Sequence, residues 1–433
     1  MNTNSMFSRR QALGALAGGA AIMATTAACG FKSTTATASS ADGNISYWAQ
    51  VDPTNTVQQA AISAFNTSSK GQVTLSTIPA AGYLGKVQTA MGSSAMPGLF
   101  FNWGGGSLSS YVKAGKLVAL DPSLKAHFLS SPLQAGIVDG EFVGVPCRGT
   151  QPVFIYYNKT LFTQAGVQPP TTYAELTNLV KVFKGRGIIP FTVAGASTFS
   201  WTELMWLEYL VDRVGGPGVF KSIAGGDWSG WKDPSVLQAA EMIAELVSSG
   251  AFGSNFGSVN YGAGGTSTLL ATGRAAMQLM GSWDYATLAQ ISSSFAANEL
   301  GYVPFPSVEG GKGDAANVSG NPTNYISMTT AASRTTASNF LQTVYSDSYV
   351  SGLVKMGEVP VTTNAKQLLS QSSTPAYSNF LYNLVSDAPT FTQSWDQALG
   401  STLATPMLTE IQKLFNGQDT PQQFVNNVLA IKS

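Results

Sequence analysis

From Asn44 onward short β-like runs alternate with amphipathic helical stretches, and no other feature constrains the fold as strongly. Residues 45–48, 73–78 and 99–101 read as strands, with helices over 57–65 and 83–94 between them. Further strands are read at 142–145, 153–157 and 188–193. Thr172 and Glu175 stand at capping-box spacing, and Leu176, Leu179, Val180 and Phe183 follow at i, i+3, i+4, i+7. Asp233-Pro234 opens another helix with proline in its first turn; its apolar stripe runs from Val236 to Val247, and Gly250 closes it. Such β-α order predicts an α/β fold of mostly parallel sheets with helices on both faces. A chain of 433 residues exceeds what one compact core usually organises, so two domains are expected.

Composition narrows the function classes. Charged residues are only 11% of the chain, and 23 basic residues balance 23 acidic ones. No basic field is available to attract nucleic acid. One histidine, His127, and two cysteines, Cys29 and Cys147, leave no ligand set for a structural zinc. No metal and no cofactor are expected. Any histidine-dependent nucleophile would have to work through His127, which is read as a surface residue, while Cys147 is read as a buried small hydrophobe. Gly-x-Ser-x-Gly, a Walker A loop and a dinucleotide fingerprint are absent. Ser229-Gly230-Trp231-Lys232 fits Ser-x-x-Lys, but the Lys-Thr-Gly partner is missing. A glycoside hydrolase needs only two suitably spaced carboxylates, so that alternative stays open.

The first residues read as an address. Arg9-Arg10 precede an uncharged stretch to Ala28, the pattern of an export signal over 1–28. The paired arginines resemble a twin-arginine signal; Ala12 and Gly14 depart from its usual aromatic and lysine, and Sec export remains the alternative. Thr26-Ala27-Ala28-Cys29 resembles a lipobox, which implies a lipid on Cys29; simple secretion after Ala28 is the alternative. Residues 29–43 then form a Ser/Thr/Ala tether too poor in apolar residues to fold.

Several segments resemble, in order, the family 1 extracellular solute-binding proteins of ABC-type sugar transporters. They are Phe142-Val143-Gly144-Val145-Pro146, Tyr156-Tyr157-Asn158-Lys159, and Pro169-Pro170-Thr171-Thr172-Tyr173-Ala174-Glu175-Leu176. Gly273-Arg274-Ala275-Ala276-Met277 with Gly281-Ser282-Trp283 follows, then Val303-Pro304-Phe305-Pro306, and finally Phe415-Asn416-Gly417 with Thr420-Pro421-Gln422-Gln423. The resemblance implies a two-lobed, periplasmic-binding-protein-like α/β fold. One lobe would hold 44–148 with about 322–362, the other about 152–318 with 366–433, joined by crossings near 147–151, 319–326 and 360–365. It implies a monomeric lipoprotein on the outer face of the cell membrane, held there by its lipid anchor alone. It would bind a mono- to oligosaccharide and hand it to ABC transporter permease subunits, with no nucleic acid partner. A polyol or peptide is the alternative ligand.

A sugar site sets aromatic faces against the ring and planar hydrogen-bonding groups at its edge. Such sites lie beyond the carboxyl ends of strands in open α/β sheets. Trp283, after the apolar run 275–280, and Trp103, after 99–102 and before three glycines, meet that positional test. Their neighbours Asp284 and Asn102 are candidate hydroxyl partners. Trp283 also matches the family's glycine-x-tryptophan position, where the indole stacks on sugar. The resemblance adds Trp48 and Asp52 after the first strand, Tyr83 at a helix start, Arg148 on the first crossing, and Trp395 with Asp396 late in the chain. Each has a structural alternative: core packing for the tryptophans and an interlobe salt bridge for Arg148. Trp206 is read as core, Trp201 as flanking the same helix, and Trp228 and Trp231 as a rim or surface turn.

Overall fold

A computed structural model describes residues 43–432; the export segment, Cys29 and almost all of the tether lie outside them. The first sheet holds β1 (Ile45–Gln50), β2 (Val73–Ile78) and β3 (Leu99–Asn102). After it come a two-residue hairpin, β4 (Ile137–Val138) and β5 (Glu141–Phe142), and then β6 (Val145–Pro146). The second sheet is built from β7 (Gln151–Asn158), β8 (Ile189–Thr192), β9 (Ala275–Gly281), β10 (Leu300–Val303) and β11 (Val318–Asn321). β12 (Tyr325–Met328) returns to the first sheet and β13 (Phe391–Gln393) to the second. The orders are β2-β1-β3-β12-β6 and β13-β11-β7-β9-β8, with β10 also on β7. Each sheet carries its own core. Tyr47, Phe100, Val145 and Phe340 belong to one; Phe154, Phe191, Trp206 and Met277 belong to the other. Among the described residues no helix is long and apolar enough to cross a membrane.

The local signals act as the sequence suggests. Thr172 Oγ1 accepts from Glu175 N at 3.2 Å and the Glu175 carboxylate accepts from Thr172 N at 3.2 Å, capping helix Tyr173–Gly185 at both ends of the box. Helix Pro234–Ser249 starts on Asp233, whose carboxylate accepts from Ser235 N, and ends on Gly250 in the left-handed region. Removing such a cap costs about 1 kcal/mol.

The sheets are mixed, not mostly parallel. β1 runs parallel to β2 and β3, β8 to β9, and β11 to β13, while β12 is antiparallel to β3 and β6, and β7 is antiparallel to β9, β10 and β11. The cause is the route of the chain. Tyr325, the first residue of β12, pairs with Asn102, the last of β3. A strand arriving from the other lobe enters at the carboxyl ends of β1 and β3 and so runs against them, whereas parallel neighbours come through helical crossovers.

Residues 147–150 link β6 to β7, and 322–324 link β11 to β12. The first of them binds both the second and a third segment, since Cys147 N donates to Asn324 O and Thr150 N donates to Val359 O. Asn364 Nδ2 donates to Asp347 Oδ1 at 2.7 Å and Ser351 Oγ to Gln371 Oε1 at 2.6 Å, which keeps 364–371 on helix Asp347–Lys355. The chain reaches the second sheet with helix Pro375–Ser386, where Phe380 meets Phe154 edge-on at 5.0 Å.

Candidate ligand site at the carboxyl ends of the strands

At the end of β9 the chain turns through Ser282 into Trp283. Ser282 N donates to Pro152 O at 2.9 Å, and Tyr377 Oη donates to Ser282 O at 2.7 Å, so the turn is pinned from two sides. The indole folds back over Gly281, where a Cβ would stand 2.0 Å from its ring. Only glycine leaves room for that approach. The half-buried Trp283 ring lies 6.2 Å from Trp201, which starts helix Trp201–Gly215 just beyond β8. Trp201 in turn meets Tyr261 edge-on at 5.0 Å. All three rings keep part of their surface in solvent. Together they form an aromatic platform.

Asp284 supports this platform from inside. It is 0% exposed, accepts from Ser267 Oγ at 2.8 Å and from Tyr261 Oη at 3.1 Å, and burial pushes its pKa up to about 6. Its oxygens hold Tyr261 in place. Asn102 is likewise committed: its amide donates to Ser327 Oγ at 2.9 Å and its oxygen accepts from Gly104 N at 2.9 Å, setting the turn after β3. Tyr83 is buried, with its hydroxyl between the carbonyls of Phe101 and Trp48.

Trp103 leaves β3 half-buried, edge-on to Phe101 at 5.3 Å and to Tyr83 at 6.0 Å. Its carbonyl accepts from Gln393 Nε2 of the second sheet at 2.8 Å. Two of the glycines that follow are pressed onto the same stretch of chain: a Cβ on Gly105 would stand 2.4 Å from Gln393 Oε1, and one on Gly106 would stand 2.1 Å from Ala398 O. Trp48, at the end of β1, is half-buried and has Lys86 Nζ 4.8 Å above its ring.

Arg148 and Asp52 meet each other. Arg148 Nη1 lies 2.7 Å from Asp52 Oδ2, and its Nε and Nη2 reach Glu358 Oε1 at 2.9 and 2.7 Å. Glu358 Oε2 also accepts from Gly149 N at 2.8 Å. The one charge of the first crossing is therefore spent on two carboxylates from elsewhere in the chain. Trp395, expected to turn toward a ligand, is 1% exposed and stacked on Phe220 at 4.3 Å, with Trp231 edge-on at 5.5 Å. Trp228 and Trp231 are buried beside it and form no surface turn. Asp396 is half-buried; one of its oxygens has no partner, and burial raises its pKa.

Unspent hydrogen-bonding capacity gathers on the crossings. Thr150 Oγ1, Asn321 Oδ1 and both side-chain polar atoms of Asn324 are buried without a partner, as are Asp396 Oδ1 and Gln397 Oε1 nearby in the fold. A buried polar group left alone costs roughly 1–3 kcal/mol. Neutral amides and one hydroxyl predominate. No group of His, Cys, Asp and Glu among the described residues could hold a metal, and exposed His127 is stacked on Tyr345 at 3.9 Å.

Two carboxyls are buried on helix Trp201–Gly215. Glu203 is 0% exposed with neither oxygen partnered, and burial pushes its pKa up to about 9. Glu208 accepts from Ser319 Oγ, Ser394 Oγ and Trp395 N at 2.7–2.8 Å, and burial pushes it up to about 8. Both are raised in the folded state, so the fold holds protons that the unfolded chain releases above about pH 4.5. Their contribution is full below that pH and drains away as pH climbs through 8–9. Glu203→Gln should remove one proton from this slope, about 1.4 kcal/mol per pH unit. Urea unfolding at pH 5, 7 and 9 checks it: the variant should gain on the wild type as pH rises, and parallel curves would refute the reading.

The match to a family model decides the kinship. The model of the bacterial extracellular solute-binding proteins covers residues 48–350. The chain belongs to that family. A curated relative of this solute-binding protein, an uncharacterised ABC transporter extracellular-binding protein of Pyrococcus horikoshii, is 24% identical over 206 residues; the match takes in 46% of this chain and 44% of that one. The fold is similar to a structure from work on xylan utilisation by Caldanaerobius polysaccharolyticus, with a TM-score of 0.80 and 24% identity over 89% of this chain and 99% of the other. It is also similar to a chitin oligosaccharide binding protein, with a TM-score of 0.79 and 23% identity over 90% and 98%. The two-lobed α/β fold is thus shared with both of these structures. Of the three platform rings, sequence reasoning singled out Trp283, passed over Tyr261 and left Trp201 as a residue flanking a helix; Gln393, Asn321 and Asn324 were not singled out.

Proposed function

We propose that this protein binds an uncharged mono- to oligosaccharide between its lobes and delivers it to an ABC importer. The platform of Trp283, Trp201 and Tyr261 at the carboxyl end of β9 carries the reading. Indole and phenol faces suit the C–H face of a pyranose, and the unpartnered Asn321 Oδ1 and Asn324 amide suit its hydroxyl rim. Asp52 and Glu358 both pair with Arg148, so the crossing offers no free positive charge to a phosphate or uronate. Xylan and chitin oligosaccharides, named for the two structural relatives, are the first ligands to try.

Trp103 would close on the sugar from the first lobe, with Trp48 at its edge, as the lobes rotate about the crossings. A ligand favours closure only through contacts it makes better in the closed state, which requires residues of both lobes. A lipid on Cys29, added after export, would hold the receptor near its permease subunits. One acyl chain anchors only marginally, so more than one is expected.

Calorimetry tests the proposal against xylo- and chito-oligosaccharides, other neutral saccharides, matched uronic acids and sugar phosphates. One neutral member should bind saturably at one site per chain, and its charged analogues should bind more weakly. Tightest binding by a charged analogue, or turnover of a polymer, would defeat it.

A further inference from the structure

A second cavity lies at the junction of the lobes. It has a volume of about 290 Å3 and shares no residue with the aromatic platform. One wall comes from the first lobe (Leu129, Pro132), the floor from two crossing segments (Thr150, Val359), and the facing wall from helix Pro375–Ser386 (Tyr382, Val385). No charged residue lines it. The walls are mostly apolar, yet Thr150 is 4% exposed and its Oγ1 has no partner. A site of this size and lining suits a compact neutral molecule with one hydroxyl or carbonyl to meet that oxygen.

Thr150 also ties the cavity to the platform. Its carbonyl accepts from Ser282 Oγ at 3.3 Å, one residue before Trp283, while its N–H donates to Val359 O at 2.8 Å. The two walls belong to different lobes, and the strands between them are the ones about which the lobes would rotate. Rotation therefore changes the width of the cavity. A molecule that fills it must prefer one width, and that preference is the condition for shifting a conformational equilibrium.

We infer that this cavity is a second ligand site, for a small neutral alcohol, and that its occupancy sets the spacing of the lobes. The inference takes only the rotation from the proposed function; it does not require the saccharide to be known. By linkage, an occupant that changes saccharide affinity has its own affinity changed by the same factor.

The probe is cyclohexylmethanol, with cyclohexanecarboxylate as its charged counterpart. Methyl NMR of the saccharide-free protein should show saturable shifts at Val359 and Val385 with the alcohol, and at least ~10-fold weaker binding of the carboxylate, the scale of one lost buried contact. Thr150→Val should weaken the alcohol several-fold, and Val385→Trp, at a half-exposed position, should abolish its binding by filling the space. Spin labels on the two lobes should report a changed distance distribution both with the alcohol and in Val385→Trp. Shifts that survive Val385→Trp would place the probe elsewhere and overturn the site. Binding with an unchanged lobe distance would overturn the coupling. Both readouts are made without saccharide, so neither outcome depends on whether the protein binds one.

Discussion

Arg148→Met should lower stability by about 3–5 kcal/mol, the cost of leaving buried charges without their partner. The side chains of Arg148, Asp52 and Glu358 are only 12–15% exposed, so water cannot take over the role of the guanidinium. Asp52 belongs to the loop after β1, Arg148 to the first crossing and Glu358 to the third, and removal of one cation strands two carboxylates that now repel each other. Asp52 retains the Thr54 N–H and hydroxyl, at 2.9 and 2.7 Å, and Glu358 retains Gly149 N, so the loss is partial unfolding pressure on both lobes and not the release of one loop. Urea denaturation followed by tryptophan fluorescence measures it. The neutral triple variant Asp52→Asn, Arg148→Met, Glu358→Gln should recover most of the loss, because an uncharged cluster no longer needs a counterion. A single variant within about 1 kcal/mol of wild type would mean the cluster behaves as a surface ion pair.

Local order was legible because it is written locally. A capping box needs only Thr172 and Glu175, and β2 is a short run rich in β-branched residues, so both can be read within a few residues. Gly281-Ser282-Trp283 was legible for a similar reason: the glycine that lets the indole fold back lies two positions away. What a sequence hides is which side of an element faces which neighbour. Trp395 and Trp201 look alike in a string of letters. One is stacked on Phe220, about 175 positions earlier in the chain, and the other meets Tyr261 and Trp283 at the rim. Asp284 follows Trp283 directly, as a hydroxyl partner would, but Ser267 and Tyr261 reach it first, from a segment that only folding brings close. The direction of β12 was hidden too, since it depends on which lobe the chain arrives from. Arg148 was left between two roles by sequence, and its partners, 96 and 210 positions away, decide for the ion pair.

Trp283→Ala should weaken saccharide binding by about 30-fold or more, the range of a central aromatic anchor. The indole offers a flat apolar face that alanine cannot replace, and Trp283→Phe should recover part of the loss because a smaller face remains. Gly281→Ala makes the sharper test, since it leaves every platform ring in the protein. Its Cβ would stand 2.0 Å from the Trp283 ring, so the indole must swing off its seat, and affinity should fall nearly as far as in Trp283→Ala. Trp201→Ala should cost less by itself. In combination with Trp283→Ala it should cost less than the two losses added, because rings 6.2 Å apart steady each other and the second deletion removes a support already idle. Calorimetry on the four variants and the double variant, with circular dichroism to show that each is folded, separates the cases. If Gly281→Ala bound the sugar as wild type does while the indole was displaced, stacking on Trp283 would not be the source of affinity. The ring would then be a wall of the second lobe, and the amides of the crossings would have to carry recognition by themselves.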